Sequence, residues 1–232
     1  MKKATILILL FFVSSCVEMQ QVMQQMPINE NVDIANGLRQ ALDFGVQKQV
    51  FKLTQPNGFF QNNLVRIGFP SELQQVEQGL RKVGLNSLAD DGIKALNRAA
   101  ENAVKEATPI FVNAIKQITF EDARAILMGD KRAATQYLEK TTQTALYNQF
   151  YPVVQQSFQK VGADQIWQNL IQKYNSLPLV TKVNPDLTDH VTKQALVGVY
   201  EMIALEEIAI RNDLSARTTD VLKRVFAMQD KK

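Results

Sequence analysis

The chain has 232 residues, a formal net charge of +3, one cysteine and one histidine. A lone cysteine excludes an intramolecular disulfide and a thiolate zinc site, and a lone histidine, His190, excludes a multi-histidine metal centre within one chain. Lys and Arg are not clustered, so there is no nucleic-acid footprint, and neither a metal nor a cofactor is expected.

The first residues read as an address. Met1-Lys2-Lys3 is a short positive segment, and Ala4 to Val13 follows without a charge. Ten helical residues span about 15 Å, whereas a membrane span takes about 20 apolar residues. The stretch therefore has the length of a signal-peptide core. Val13-Ser14-Ser15-Cys16 then resembles a bacterial lipobox. That resemblance implies a signal peptide over 1–15, cleavage before Cys16 and lipid on its thiol, giving membrane attachment through two or three acyl chains. Val17, in place of an aspartate after the cysteine, implies the outer membrane, facing the periplasm. The competing reading is an ordinary secretory signal with a chance cysteine. Removing residues 1–15 would leave 217 residues and, without Lys2 and Lys3, a net charge of +1.

Residues 16–31 form the lipidated cysteine and a Gln-rich polar tether, with a reach of roughly 20 Å as flexible chain. Alternatively, Val17, Met19, Val22, Met23 and Met26 make it an amphipathic arm toward a membrane surface or a partner. Residues 32–232 are expected to form one helical domain, with no repeat and no linker to a second domain.

Apolar residues Ile34, Leu38, Ala41, Leu42, Val46, Val50 and Phe51 recur at three-and-four spacing, which predicts a helix from Asn31 to about Leu53. Gly37 and Gly45 weaken it locally, and close packing against a neighbour would explain them. Gln55-Pro56-Asn57-Gly58 stops it. Phe59 to Phe69 lacks helical rhythm and reads as an ordered loop pinned by its aromatics, with a short extended piece at Val65-Arg66-Ile67. Pro70 starts a helix to Val83, closed by Gly84.

Asn86 or Ser87 is expected to cap the next helix, to about Ala107, and Thr108-Pro109 opens another. Thr119 and Asp122 resemble a capping box for a short helix closing at Gly129. Asp130 caps a helix to about Phe150, Pro152 marks a break or a new start, and Val161-Gly162 ends the next piece. Ala163 to Tyr174 is amphipathic, and Asn175 to Pro185 is a loop. The longest helix runs from Thr188 to about Arg211, followed by one from Ser215 to Ala227. No useful alternating strand pattern occurs. The fold class is all-α, a single irregular multi-helix bundle.

Six segments in order carry a family resemblance: Leu96 to Glu101, Pro109 to Ile115, Phe120 to Leu127, Ala133 to Tyr137, Glu206 to Arg211, and Ala216 to Leu222. Together they resemble the bacterial Domain of Unknown Function 4197 family over roughly Asn36 to Phe226. The resemblance implies an exported helical protein and supplies no catalytic residues to carry over.

Candidate chemistry is sparse. Asn97 and Glu101 share one helix face, and Arg98 can pair with Glu101; they make either a polar pocket inside the bundle or a structural pair. Glu201, Glu206 and Glu207 lie on the long helix, but Glu206 and Glu207 diverge by about 100° and cannot converge as a catalytic pair. Glu207 and Arg211 form a four-apart pair. No Glu-x-x-His element supports a carboxylate-bridged metal. Asp186 and His190 are four apart, and no Gly-x-Ser-x-Gly elbow accompanies them. Arg217, Thr218 and Thr219 can hold an anion at a helix start, or cap that helix with Arg217 paired to Glu206 or Asp220.

Two functions stay open. One is a non-enzymatic envelope module binding a protein, peptide or lipid in a groove between helices. The other is an enzyme or small-anion-binding protein using Asn97, Arg98, Glu101, Glu206, Arg211, Arg217 and Thr218 as a buried cluster.

Overall fold

A computed structural model describes residues 30–82, 84–160, 171–172, 175–176, 182 and 186–231. Residues 1–29, with the signal segment, Cys16 and most of the tether, lie outside the described residues, as does nearly all of the 163–174 segment. The described chain is all-helical and contains no strand.

The helices, in chain order, are α1 (Glu30–Thr54), α2 (Gln74–Lys82), α3 (Asn86–Val104), α4 (Ala107–Lys116), α5 (Phe120–Met128), α6 (Ala133–Lys160), α7 (Thr188–Asn212) and α8 (Asp220–Phe226). Three 3₁₀ turns, Ser71–Leu73, Leu214–Ala216 and Gln229–Lys231, connect or extend them. Helix α7 packs on α1, α3 and α6, and α4 and α5 each touch both α1 and α6. The core thus lies among the three long helices α1, α6 and α7, filled by Leu38, Phe59, Phe111, Leu138, Leu146 and Phe150, all fully buried.

Helix α6 shows how the sequence makes this packing. Ala134, Leu138, Thr142, Leu146, Phe150, Val154 and Phe158 are buried at every fourth position. At 3.6 residues per turn, a spacing of four advances about 40° per step. The buried stripe therefore winds around the helix, which lets α6 meet different neighbours along its length. Pro152 sits inside α6 and does not break it, contrary to the sequence expectation. Pro152 and Asn148 are both exposed, so the carbonyl that loses its partner faces water and the cost is reduced.

Other boundaries follow local chemistry. Thr119 and Asp122 form the expected capping box: the Thr119 hydroxyl accepts from the Asp122 N–H, and the Asp122 carboxylate accepts from the Thr119 N–H. Those bonds from Thr119 hold the Asp122 carboxyl below its ordinary range. Gly84 ends the α2 region at φ +83°, a left-handed conformation that disfavours a Cβ. Gly37 packs against Val225 of α8 so closely that an added methyl would collide with its Cγ2, whereas a Cβ at Gly45 would make only ordinary contact with Glu206.

Besides Pro152, five expectations are corrected, the first being that α6, with 28 residues, and not α7, with 25, is the longest helix. The residue before α3 is Leu85, without a side-chain cap, so neither Asn86 nor Ser87 caps it. Helix α3 ends at Val104, and α4 already starts at Ala107. The expected extended piece at 65–67 is not a strand: Val65 is in a turn, and the backbone of Ile67 pairs with a side chain. The last helix starts at Asp220 instead of Ser215, because Arg217 leaves helical geometry at ψ 72° and turns inward.

Candidate functional site

Asn97 is fully buried on α3. Its Oδ1 accepts from the Ile67 N–H at 2.8 Å, and its Nδ2 donates to the Ile67 carbonyl at 2.8 Å and the Ile93 carbonyl at 2.7 Å. A side-chain amide thereby supplies the donor and acceptor that a neighbouring strand would supply. One turn later, Glu101 accepts from the Phe59 N–H at 3.2 Å. Both residues anchor the 59–69 loop, whose Phe59, Val65, Ile67 and Phe69 are buried in the core. The aromatics of this loop plug the core; they do not line an open groove. Arg98 is exposed on another face of α3, whereas Glu101 is buried and bonded to Phe59. The polar pocket expected from Asn97, Arg98 and Glu101 does not form.

The buried ionic centre lies elsewhere. Glu207 and Arg211 of α7 are buried and paired at 2.8 Å. The Glu207 carboxylate also accepts from the Ala134 and Thr135 N–H groups, each at 2.9 Å, and from the Thr135 hydroxyl at 2.8 Å. It therefore satisfies the first turn of α6, at the positive end of the helix dipole. Arg211 donates to the Leu127 and Ile126 carbonyls at 3.1 and 2.7 Å, the last turn of α5. The pair closes two helices of opposite polarity with one charge each. Sequence spacing identifies the pair but not the helix ends that it serves.

Arg217 continues this centre. Its Nε donates to the Ile210 carbonyl at 2.9 Å, and its guanidinium forks onto Asp230. The partner is thus Asp230, not the expected Glu206 or Asp220. The hydrogen bond to Arg217 holds the Asp230 carboxyl below its ordinary range. Arg211 and Arg217 both lie near the Phe226 ring, at 5.6 and 5.8 Å from its centroid. Gln229 accepts from Arg211 at 2.9 Å. The C-terminal turn is in this way tied over the end of α7. Thr218 is exposed, and it is Thr219 that caps α8, through the Leu222 N–H at 3.2 Å.

Glu206 points away from this centre. It meets Lys48 at 2.5 Å and the Gln49 amide at 2.6 Å on α1. Glu201 pairs with Arg132 at 2.6 Å. Asp186 accepts from the Thr188 N–H at 2.8 Å, while His190 meets the Gly68 carbonyl at 3.0 Å. The structure brings Arg211 and Arg217 together and leaves Asn97 with Glu101, Arg98, Glu206 and Thr218 in four other places. Among the described residues, no group of His, Cys, Asp and Glu is arranged to hold a metal ion. No described helix is long and apolar enough to cross a membrane.

The described residues line shallow grooves, two of which bear on function. One, of about 440 Å³, runs between α6 and α7 and includes Tyr147, Lys193 and Tyr200. The Tyr147 hydroxyl donates to Asp189 at 2.7 Å, and that bond, with burial, pushes its pKa up to about 12. Burial pushes Tyr200 up to about 12, with its hydroxyl 2.8 Å from that of Thr142. The other groove, of about 320 Å³, lies between α3 and α6 and contains Arg98 and Lys160.

The family described as "Protein of unknown function (DUF4197)" matches residues 29–227, nearly the whole described fold. The chain belongs to this family. The match spans every described helix, from α1 through α8, and so includes the loop anchored by Asn97 and the centre built on Glu207 and Arg211. Comparisons with curated proteins and with solved structures give no match. The DUF4197 fold is therefore read from its own contacts alone.

Proposed function

We propose that this DUF4197 protein is an exported lipoprotein of the bacterial envelope, cut before Cys16 and held by lipid on that cysteine, with its helical domain facing the periplasm from the outer membrane. In that position the domain binds a partner, whether protein, peptide or lipid, through a groove between helices. The observation that carries the reading is the ordered set of Lys2-Lys3, the uncharged Ala4 to Val13 stretch, and Ser14-Ser15 directly before the only cysteine of the chain. A non-enzymatic role is supported by the use of the buried charges: Glu207, Arg211 and Arg217 each finish a helix end. The alternative, an enzyme or anion site on a buried Arg/Glu cluster, loses its motive, because Arg98, Glu101, Glu206 and Arg217 stand apart.

Mass spectrometry of protein taken from native envelopes tests the anchor. The expected N-terminal peptide begins at Cys16 and carries diacylglycerol. A bare N-terminus, or one at another residue, overturns it. Replacing Cys16→Ser is expected to release or mislocalise the protein.

A further inference from the structure

Two helical stripes face each other across the groove between α3 and α6. Ala95, Arg98, Ala99 and Asn102 recur at three-and-four spacing on α3, and Val153, Gln156, Ser157 and Lys160 do so on α6. Small residues Ala95 and Ala99 with Val153 leave an apolar floor. The Asn102 amide donates to the Ser157 hydroxyl at 3.4 Å across it. Arg98 and Lys160 supply two positive charges, and neither has a carboxylate partner among the described residues. Nearly every other charge on α3 and α7 that the sequence singles out is engaged; Arg98 is the exception. Among the described residues, no carboxylate lines the groove. Its volume of about 320 Å³ is at the small end of ligand sites.

We propose that this groove binds a small organic carboxylate with a short unbranched apolar stem. The guanidinium fork of Arg98 matches a carboxylate in plane and charge. Lys160 adds a second cation, with Gln156 and Ser157 as hydrogen-bond donors, while the stem lies on Ala95, Ala99 and Val153. The proposal goes beyond the partner binding proposed above and does not depend on the lipid at Cys16.

The test uses the full-length protein in zwitterionic nanodiscs, with hexanoate as probe and saturation-transfer NMR as readout. Hexanoate is expected to bind saturably, acetate at least fivefold more weakly, and hexyltrimethylammonium not at all. R98Q alone is expected to weaken hexanoate roughly tenfold, the scale of one lost charge-assisted bond, and R98Q combined with K160Q to weaken it further. A95L is expected to remove binding by filling the floor. Lys160 also complements the C-terminal end of α6, so helix content and thermal midpoint of each variant are measured by circular dichroism. Equal hexanoate binding by the wild-type and double-variant proteins overturns the proposal, as does acetate binding as tightly as hexanoate, or no saturation at all. None of these results bears on the N-terminal lipid, which mass spectrometry and the Cys16→Ser variant test separately.

Discussion

Glu207 and Arg211 are one turn apart on α7, and each completes a different neighbour: Glu207 the start of α6, Arg211 the end of α5. Both side chains are buried. The arrangement is electrostatically matched three times over, in the pair itself and at both helix ends. Removing one partner leaves the other charged and dry. Glu207→Gln or Arg211→Met alone is expected to cost about 3–5 kcal/mol, as buried pairs do when broken. The double variant is expected to lose less than the sum of the two. Urea unfolding of a double-mutant cycle measures this; strict additivity would refute the coupling.

The Asn97–Ile67 pairing gives a second expectation. Asn97→Ala strips partners from a buried N–H and a buried carbonyl, at about 1–3 kcal/mol for each group left unsatisfied. Asn97→Asp keeps the acceptor and loses both donated bonds. Hydrogen exchange should show faster exchange at Ile67 in the alanine variant, with Phe59, whose N–H is held by Glu101, and the α6–α7 core less affected. Protection retained at Ile67 would contradict the assignment.

Gly198 of α7 is where the 59–69 loop touches the long helix. A Cβ there would lie 2.7 Å from Phe59 Cε1 and 3.2 Å from Val65 Cβ. Gly198→Ala is expected to destabilise by about 1–3 kcal/mol through overpacking, despite the better helix propensity of alanine. Thermal unfolding checks the sign: a stabilised variant would mean that the loop can retreat without cost.

Acid should loosen two specific places. The Asp230 and Asp122 carboxyls titrate below their ordinary range when folded, held there by Arg217 and by Thr119 respectively. A depressed folded pKa contributes stability above the unfolded value, near 4, and that contribution is lost as pH falls through the folded value. The C-terminal turn and the start of α5 are therefore expected to gain exchange below about pH 4. Asp230→Asn should remove the pH dependence of the C-terminal turn and leave that of α5. An unchanged profile in this variant would sink the Arg217–Asp230 account.

At the alkaline end, Tyr147 and Tyr200 are pushed up to about 12, by the bond to Asp189 and by burial respectively. Raised folded values mean that the contribution of these groups is complete below pH 10, the unfolded value, and disappears as pH rises through about 12. Ultraviolet titration should show both phenolates forming near pH 12 together with unfolding. In Tyr147→Phe the late phase should shrink by one tyrosine.

Much of the fold was legible in the amino-acid order because helices are written locally. Three-and-four apolar spacing located α1, Thr108-Pro109 marked the start of α4 to within one residue, and Thr119 with Asp122 wrote its own capping box. Gly84 marked a stop because a left-handed residue is a property of one position. Pro152 misled for the same reason: the local rule holds a proline to be a break, and only the outward orientation of that part of α6 made it tolerable. The candidate site was legible in part. Glu207–Arg211 is a spacing of four, and the polar character of Asn97 and Glu101 on an apolar helix was visible.

The sequence by itself determined the helical class, most helix limits and the pattern at residues 1–16 that motivates a lipid anchor. Only the tertiary structure decided that Asn97 pairs with Ile67, that Arg217 reaches Asp230, and that Arg98 faces a groove with Lys160 in place of Glu101. The reason is the range of the interactions: turns and caps join residues within about four positions, while a helix end buried against its neighbours takes whatever charge the packing brings to it.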